Sequence, residues 1–316
     1  MLFASSHPLC WTATLLGDLS CYQFPPLRSL FYHARILFLF TKSDMKTILL
    51  PVTVFSLALV SAPFHLPTLL MTVLWIWVHL LHFCIANQYY STNEDALNKP
   101  WRPLPSGLLT TADAFTIRWS LVPICLFMSI LHRTLVPSLV LLAATWLYND
   151  CFWNKHGVVK NFLNVVGYLA FECGAAVCLS RNMGLTPSST NALITSGLII
   201  LTTVHAGDFP DIGGDLKEGR NTLPILFPTL TRHILCATIT LWTGYACIMT
   251  TTWSLAPVLG LAVLGTAVAE AFRNKDSDRR QDRFAFILYN VWLSAIHVAL
   301  AATANTARWQ SLPTSI

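Results

Sequence analysis

Apolar residues run through this chain in blocks of about 17–25, the length an α-helix needs to cross a bilayer core at about 1.5 Å per residue. Nine such blocks predict membrane spans at about 47–63, 66–90, 113–131, 134–150, 161–180, 189–207, 233–251, 255–272 and 285–303. Residues 1–44 hold an apolar patch from Ile36 to Phe40 but also Pro8, Pro25, Pro26 and Arg28. That stretch reads as an N-terminal tail and interfacial segment rather than a cleaved signal, because no basic region precedes a clean apolar core. The expected organisation is therefore a tail over 1–44, one transmembrane domain over 45–305 and a C-terminal tail over 306–316. The expected fold class is all-α, a polytopic membrane helical bundle.

Composition agrees: 54% of the 316 residues are hydrophobic and 11% are charged, against roughly 25% charged in a soluble domain. The formal charge of +5 does not point to nucleic acid, because the basic residues divide by membrane side instead of gathering on one soluble patch. Ends on the N-terminal side, counted through the loops after spans two, four, six and eight, hold sixteen Lys and Arg. The opposite ends hold three, Arg133, Arg181 and Arg308, and Arg118 lies within a span. The positive-inside rule makes the first set cytoplasmic, in a multi-pass protein expected in the endoplasmic reticulum. The nine cysteines show no metal spacing and no disulfide framework.

The acids are as uneven. Six of fifteen lie in two short segments, Glu94 and Asp95 after span two, and Asp208, Asp211, Asp215 and Glu218 after span six. An even number of crossings between them puts both on one side. In the first segment Asn87, Ser91 and Asp95 are spaced i, i+4, i+8, one helical face whose oxygens suit a hard cation such as Mg²⁺. With Glu94 alongside, these are candidate metal ligands, although Asn87 and Ser91 also serve the ordinary capping of a helix end. The same stripe continues into the membrane as Phe83, His79 and Trp75. A face that runs from polar ligands to aromatic rings fits an amphiphile with a diphosphate head and a hydrocarbon tail.

In the second segment Asp208, Asp211 and Asp215 fall at i, i+3, i+7, though Pro210, Gly213 and Gly214 suggest that a turn supplies part of the geometry. Carboxylates so close repel unless a cation or base intervenes. Asp95, Asp208, Asp211 and Asp215 are the expected catalytic set. Lys99, Arg102, Lys155, Lys217 and Arg220 are candidates to hold phosphate oxygens, with Trp75, His79 and Phe83 against the hydrocarbon. Metals that neutralise a diphosphate lower the barrier to its departure.

At these residues the chain resembles the UbiA superfamily of intramembrane prenyltransferases, from about residue 40 onward. Asp208-Phe-Pro-Asp211-Ile-Gly-Gly-Asp215, followed by Gly219-Arg220-Asn-Thr222-Leu-Pro, matches the family's DxxDxxGD pattern and its continuation. The first motif departs from the family's NxxxDxxxD, with Ser91 at the central aspartate, and is similar to the family's fungal membrane-bound terpene cyclases. Asn, Ser and an acid at this spacing also resemble the second metal triad of soluble class I terpene cyclases. The resemblance implies nine helices around a central cavity, Mg²⁺ as cofactor, and an isoprenoid diphosphate as the partner, with no obligate protein partner. It implies cyclisation of farnesyl diphosphate to a sesquiterpene, with geranylgeranyl diphosphate or transfer to an aromatic acceptor as alternatives. His79 or His205 is then a candidate for the terminating proton, while Glu172 and the Asn161, Asn164, Tyr168 stripe have no assigned role. A transporter would also account for intramembrane His and Glu, but not for carboxylates clustered beside Lys and Arg, and no internal repeat is evident.

Overall fold

A computed structural model describes residues 25–60, 65–181, 185–250, 254–274 and 277–310. Nearly all of these residues are helical, as the absence of water in a bilayer demands: a helix satisfies its own backbone groups. Among the described residues the one extended pairing is an isolated bridge between His156 and Asn221. The chain begins with α1 (Pro25–Thr41) and a π-helical turn (Met45–Leu49) leading into α2 (Leu50–Leu59). Next come α3 (Leu66–Tyr90), the short α4 (Thr92–Asn98), α5 (Thr111–Leu131), α6 (Leu135–Asn149) and α7 (Gly157–Leu179). The second half holds α8 (Pro187–Thr203), a 3₁₀ stretch (Val204–Asp211), α9 (Ile212–Lys217), α10 (Leu223–Leu226), α11 (Pro228–Met249), α12 (Leu255–Arg273) and α13 (Arg279–Gln310).

Local signals set these boundaries. Prolines stand in the first turn of α2, α3, α8 and α11, where a missing N–H costs nothing. Thr110 and Thr186 cap α5 and α8 by accepting from the amides of Asp113 and Ser189, each at 3.1 Å.

A helix lies in each expected span, although 61–63 of the first lie outside the described residues and 204–207 of the sixth run as 3₁₀; six helices are long and apolar enough to cross a membrane. The other three differ for identifiable reasons. Met45–Leu59 and Leu135–Asn149 are short; fifteen residues rise only about 22 Å. α11 carries Arg232 and five threonines among its 22 residues. The last helix overruns the expected span at both ends, so the tail expected from 306 begins inside α13. Of the expected N-terminal tail, residues 1–24 lie outside the described residues; the remainder forms α1. Its Ile36 and Phe40 are buried against α3, and Gln88 donates to the Phe40 carbonyl at 2.8 Å.

Two apolar clusters divide the bundle. One joins α1, α3, α5, α6 and α7 around Trp75, Ile76 and Ile85; the other joins α8, α11, α12 and α13 around Ile239, Val268 and Trp292. α2 and α7 bridge the halves through Phe55, Leu59 and Ala176. Outward faces of α5, α6 and α12 expose Phe127, Val136 and Val263, surfaces that lipid solvates and water does not. Beneath the second acidic segment, Arg232 holds Asp282 at 3.0 Å and lies 4.2 Å from the centre of the Phe209 ring, locking α11 to α13.

Candidate active site

α3 stops at Tyr90, and Ser91 takes a non-helical conformation before α4 restarts the turn. The i+4 backbone ladder nevertheless continues, with Ser91 donating to Asn87 at 3.0 Å and Asp95 to Ser91 at 2.9 Å. Ser91 and Asp95 do not reach the cavity. The Ser91 hydroxyl donates to the Asn87 carbonyl at 2.7 Å, and Arg102 grips both oxygens of buried Asp95 at 2.7 and 2.8 Å. Asn87 and Glu94 do face the cavity. The expected single face of Asn87, Ser91 and Asp95 is thus split, because the kink at Ser91 turns the side chains apart.

In the second segment Pro210 interrupts regular helix, and the backbone runs as 3₁₀ to Asp211 before α9 begins. This places Asp208, Asp211 and Asp215 on one wall. α9 lies so close to α4 that a Cβ on Gly214 would come 2.1 Å from the Asn98 amide nitrogen and 2.7 Å from Glu94 Cγ; only glycine fits. Gly219, at φ +66, then reverses the chain so that Arg220 returns over Asp215. Its guanidinium lies 2.9 Å from Asp215 and 2.7 Å from Glu94, joining the two segments at one end of the bundle.

Every cavity carboxylate meets a base. Lys160, from the first turn of α7, donates to Asp208 at 2.6 Å and lies 3.9 Å from Asp215. Lys99 lies 3.5 Å from Asp211, and Arg102 reaches Asp44 at 3.7 Å. From the start of α13, Arg279 donates to the Pro210 carbonyl at 3.1 Å and to the Asn98 side chain, and Arg283 to the Asn98 carbonyl at 2.9 Å. Arg279 thus ties the acidic segments to each other, and Arg283 fastens the first of them to α13. Burial raises the Glu94 carboxyl above its ordinary range despite Arg220, and burial raises Asp95 despite Arg102. Burial opposes the charge on Arg220, but Glu94, Tyr148 and Asp215 outweigh it and raise its pKa.

Among the described residues no three His, Cys, Asp or Glu side chains close up into a ready metal cluster; each cavity carboxylate instead meets a Lys or Arg. Two buried oxygens, Asp208 Oδ2 and Asp215 Oδ2, have no hydrogen-bond partner. Buried carboxylate oxygens are costly without one, and this donor set fits an oxygen-loving cation such as Mg²⁺.

The charged residues surround one chamber. Ile48, Phe83, Tyr148, Asn164 and Tyr168 also line a second, more apolar chamber, the deeper of the two along α3. The deeper chamber is walled by His79, His82, Leu80, Leu141, Leu163 and Phe171. Phe83 meets Tyr148 edge to face at 5.6 Å. The two spaces adjoin at these five shared residues, so the lining passes from charged to apolar along one path of side chains.

Of the expected contacts, Lys99, Arg102, Arg220, His79 and Phe83 line this path. Trp75 does not: it is wholly buried, donates to Ser129 at 2.9 Å and fills the space left by Gly174. Lys155 and Lys217 are exposed and line neither chamber; Lys155 instead lies over the Phe152 ring. His205 is buried outside both chambers. Glu172 accepts from Ser196 at 2.8 Å beside His297, a polar contact between α7, α8 and α13. Of the helix-seven stripe, Asn164 and Tyr168 line the path and Asn161 does not. Sequence reasoning missed Lys160 and Asp44 as site residues. Lys160 reads as a positive-inside anchor, and its one signal is a lysine already inside a helix that enters the apolar region. Asp44 is brought in by the π-helical turn, whose Thr47 carbonyl accepts from Tyr168 at 2.6 Å.

Residues 48–295 match the model of the UbiA prenyltransferase family. The chain is 30% identical over 266 residues to a fumagillin β-trans-bergamotene synthase of Aspergillus fumigatus, covering 82% of this chain and 89% of that one. It is 28% identical to a somaliensene A/B synthase of Streptomyces somaliensis, over 66% of this chain and 71% of the other. A polyprenyl transferase of Hericium erinaceus is 30% identical over 61% and 68%. Among solved structures, a UbiA homologue from Archaeoglobus fulgidus bound to DMAPP and Mg²⁺ superposes with a TM-score of 0.61 at 14% identity, covering 86% of this chain and 99% of that one.

Proposed function

The chain belongs to the UbiA prenyltransferase family, an integral membrane enzyme on that premise, and we propose that it is a Mg²⁺-dependent terpene cyclase acting on farnesyl diphosphate. The observation that carries this reading is the adjoining of a charged chamber and an aromatic one across shared residues, an arrangement suited to a substrate with an anionic head and a hydrocarbon tail. The similarity to two terpene synthases supports cyclisation over transfer.

Charge counting supports the cofactor. Five carboxylates line the outer chamber, Asp44, Glu94, Asp208, Asp211 and Asp215, against four bases, Lys99, Arg102, Lys160 and Arg220. A site one negative charge in excess repels a diphosphate unless cations enter with it. Asp208, Asp211, Asp215, Asn87 and Glu94 would hold Mg²⁺, with Asp95 and Ser91 shaping the turn behind them. The metal's contribution is to neutralise the departing diphosphate. With those carboxylates on the metal, their partners Lys160, Arg220 and Lys99 would be available to donate to phosphate oxygens, while Arg102 stays on Asp95. The hydrocarbon then lies among Phe83, Tyr148, Tyr168 and Phe171, whose ring faces stabilise a cation by roughly 0.5–2 kcal/mol each in a dry site. Deep placement keeps water from the cation.

In this reading all nine helices cross the membrane, with both motifs at the cytoplasmic face of the endoplasmic reticulum, in line with sixteen Lys and Arg on that side. Gas chromatography with mass detection on membranes given C10, C15 and C20 diphosphates in turn, with Mg²⁺ and no acceptor, tests the proposal. A hydrocarbon from the C15 substrate is expected. Prenylated phenol only, and only when a phenol is added, would overturn cyclisation.

A further inference from the structure

We propose that His82 takes the proton that ends the carbocation reaction; this rests on the cyclase reading above. A cyclised cation becomes a neutral hydrocarbon when a C–H bond next to the cationic carbon breaks. Its electron pair becomes the new C=C bond and the proton passes to a ring nitrogen of His82, leaving an imidazolium that later gives the proton to the released diphosphate. The deeper chamber must therefore contain a base with a free lone pair.

Its lining offers few. Thr145, Asn164, Tyr148 and Tyr168 are weak bases, and His79 is engaged at both nitrogens. His79 Nδ1 lies 2.8 Å from the Trp75 carbonyl, which can only accept, so this nitrogen carries the hydrogen. Its Nε2, 2.8 Å from Ser138 Oγ, is left as the acceptor of that hydroxyl. His297 lies outside the chamber against Phe55 and Ser196, and His205 lies outside it beside Thr231. His82 is different. It lines the chamber, is 4% exposed, and no described group hydrogen-bonds to its imidazole. Unlike His205 Nε2 and His297 Nδ1, neither ring nitrogen of His82 is sealed off without a partner, so the ring keeps a surface open to whatever fills the chamber. The Arg118–Asp150 pair lies close enough for its charges to act on the ring. Of the two, Arg118 acts on the ring the more strongly, and Asp150, also held by Tyr90 at 2.9 Å, partly offsets it.

The test compares wild type with His82→Asn and His82→Ala in membranes supplied with farnesyl diphosphate and Mg²⁺, measuring diphosphate released and each hydrocarbon formed. The expected result is a fall of about a hundredfold in main hydrocarbon per diphosphate released, the lower end for loss of a positioned base. Acyclic or hydroxylated products should take its place. Added imidazole should restore the hydrocarbon in His82→Ala, which a packing role would not allow. An unchanged product ratio in either variant overturns the inference, as does a loss of turnover that imidazole leaves unrepaired in His82→Ala. Absence of any hydrocarbon from wild type overturns the cyclase reading itself; a wild-type hydrocarbon that the variants reproduce overturns the role of His82 alone.

Discussion

Replacing Lys160 by Met keeps the length of the side chain and removes its charge. Lys160 is buried and is the described residue that forms an ion pair with Asp208, at 2.6 Å, with Asp215 at 3.9 Å. Breaking one side of a buried pair strands the other charge, at a cost of about 3–5 kcal/mol. Lys160→Met should therefore melt earlier than wild type in chelator-treated detergent solution. Added Mg²⁺ should narrow the gap, because a cation beside Asp208 replaces the lost counter-charge. Turnover should suffer separately. If Lys160 is freed to hold the leaving diphosphate, loss of one such donor costs about 2.7–4 kcal/mol, or about 10²–10³ in kcat, and Lys160→Arg should restore part of it. Thermal scans with and without Mg²⁺, with hydrocarbon formation by gas chromatography, read both effects. A kcat within about threefold of wild type, or a melting deficit indifferent to Mg²⁺, would refute the reasoning.

Removing Mg²⁺ with a chelator should abolish hydrocarbon formation and restoring it should recover the activity; persistent product in excess chelator would remove the metal from the scheme. Glu94 titrates above its ordinary value of 4.5, so its contribution to stability is full below that value and is lost as pH rises through the folded pKa. Metal-free Glu94→Gln should accordingly melt higher than wild type at about pH 7.5, the difference vanishing near pH 4, and a lower melting point at the upper pH would contradict this. Arg279→Ala cuts the tie between Pro210 and Asn98 and should raise the Mg²⁺ concentration for half-maximal activity about tenfold, the scale of lost support behind metal ligands; an unchanged Mg²⁺ titration would show that the tie is dispensable. Gly214→Ala forces a Cβ onto Asn98 and Glu94 and should cost about 1–3 kcal/mol together with most activity, whereas full activity would mean that α4 and α9 can part freely.

Helical class, the rough positions of the helices and the gathering of Asp208, Asp211 and Asp215 at one cavity were legible in the sequence. Each depends on residue type and short-range spacing: an apolar run long enough to cross a bilayer, or acids within one or two helical turns. Pro210 does lie in a 3₁₀ stretch, but regular helix already stops at Thr203, before Asp208, and Gly213 and Gly214 sit within α9. What lay beyond reach was which neighbour each side chain would choose. Ser91 and Asp95 have the spacing of ligands, yet the kink at Ser91 and the bidentate grip of Arg102 turn them from the cavity. Trp75 shares the stripe of His79 and Phe83, but the missing side chain of Gly174, almost a hundred residues away, draws it into packing. Lys160, Asp44 and Arg279 join the site from segments with no acidic motif, and His82 differs from His79 only in lacking a partner such as Ser138. Composition and local periodicity determined what kind of molecule this is and where its charges begin. Tertiary packing decided which of those charges meet, because ion pairs and cavity walls form between helices brought together across the whole length of the chain.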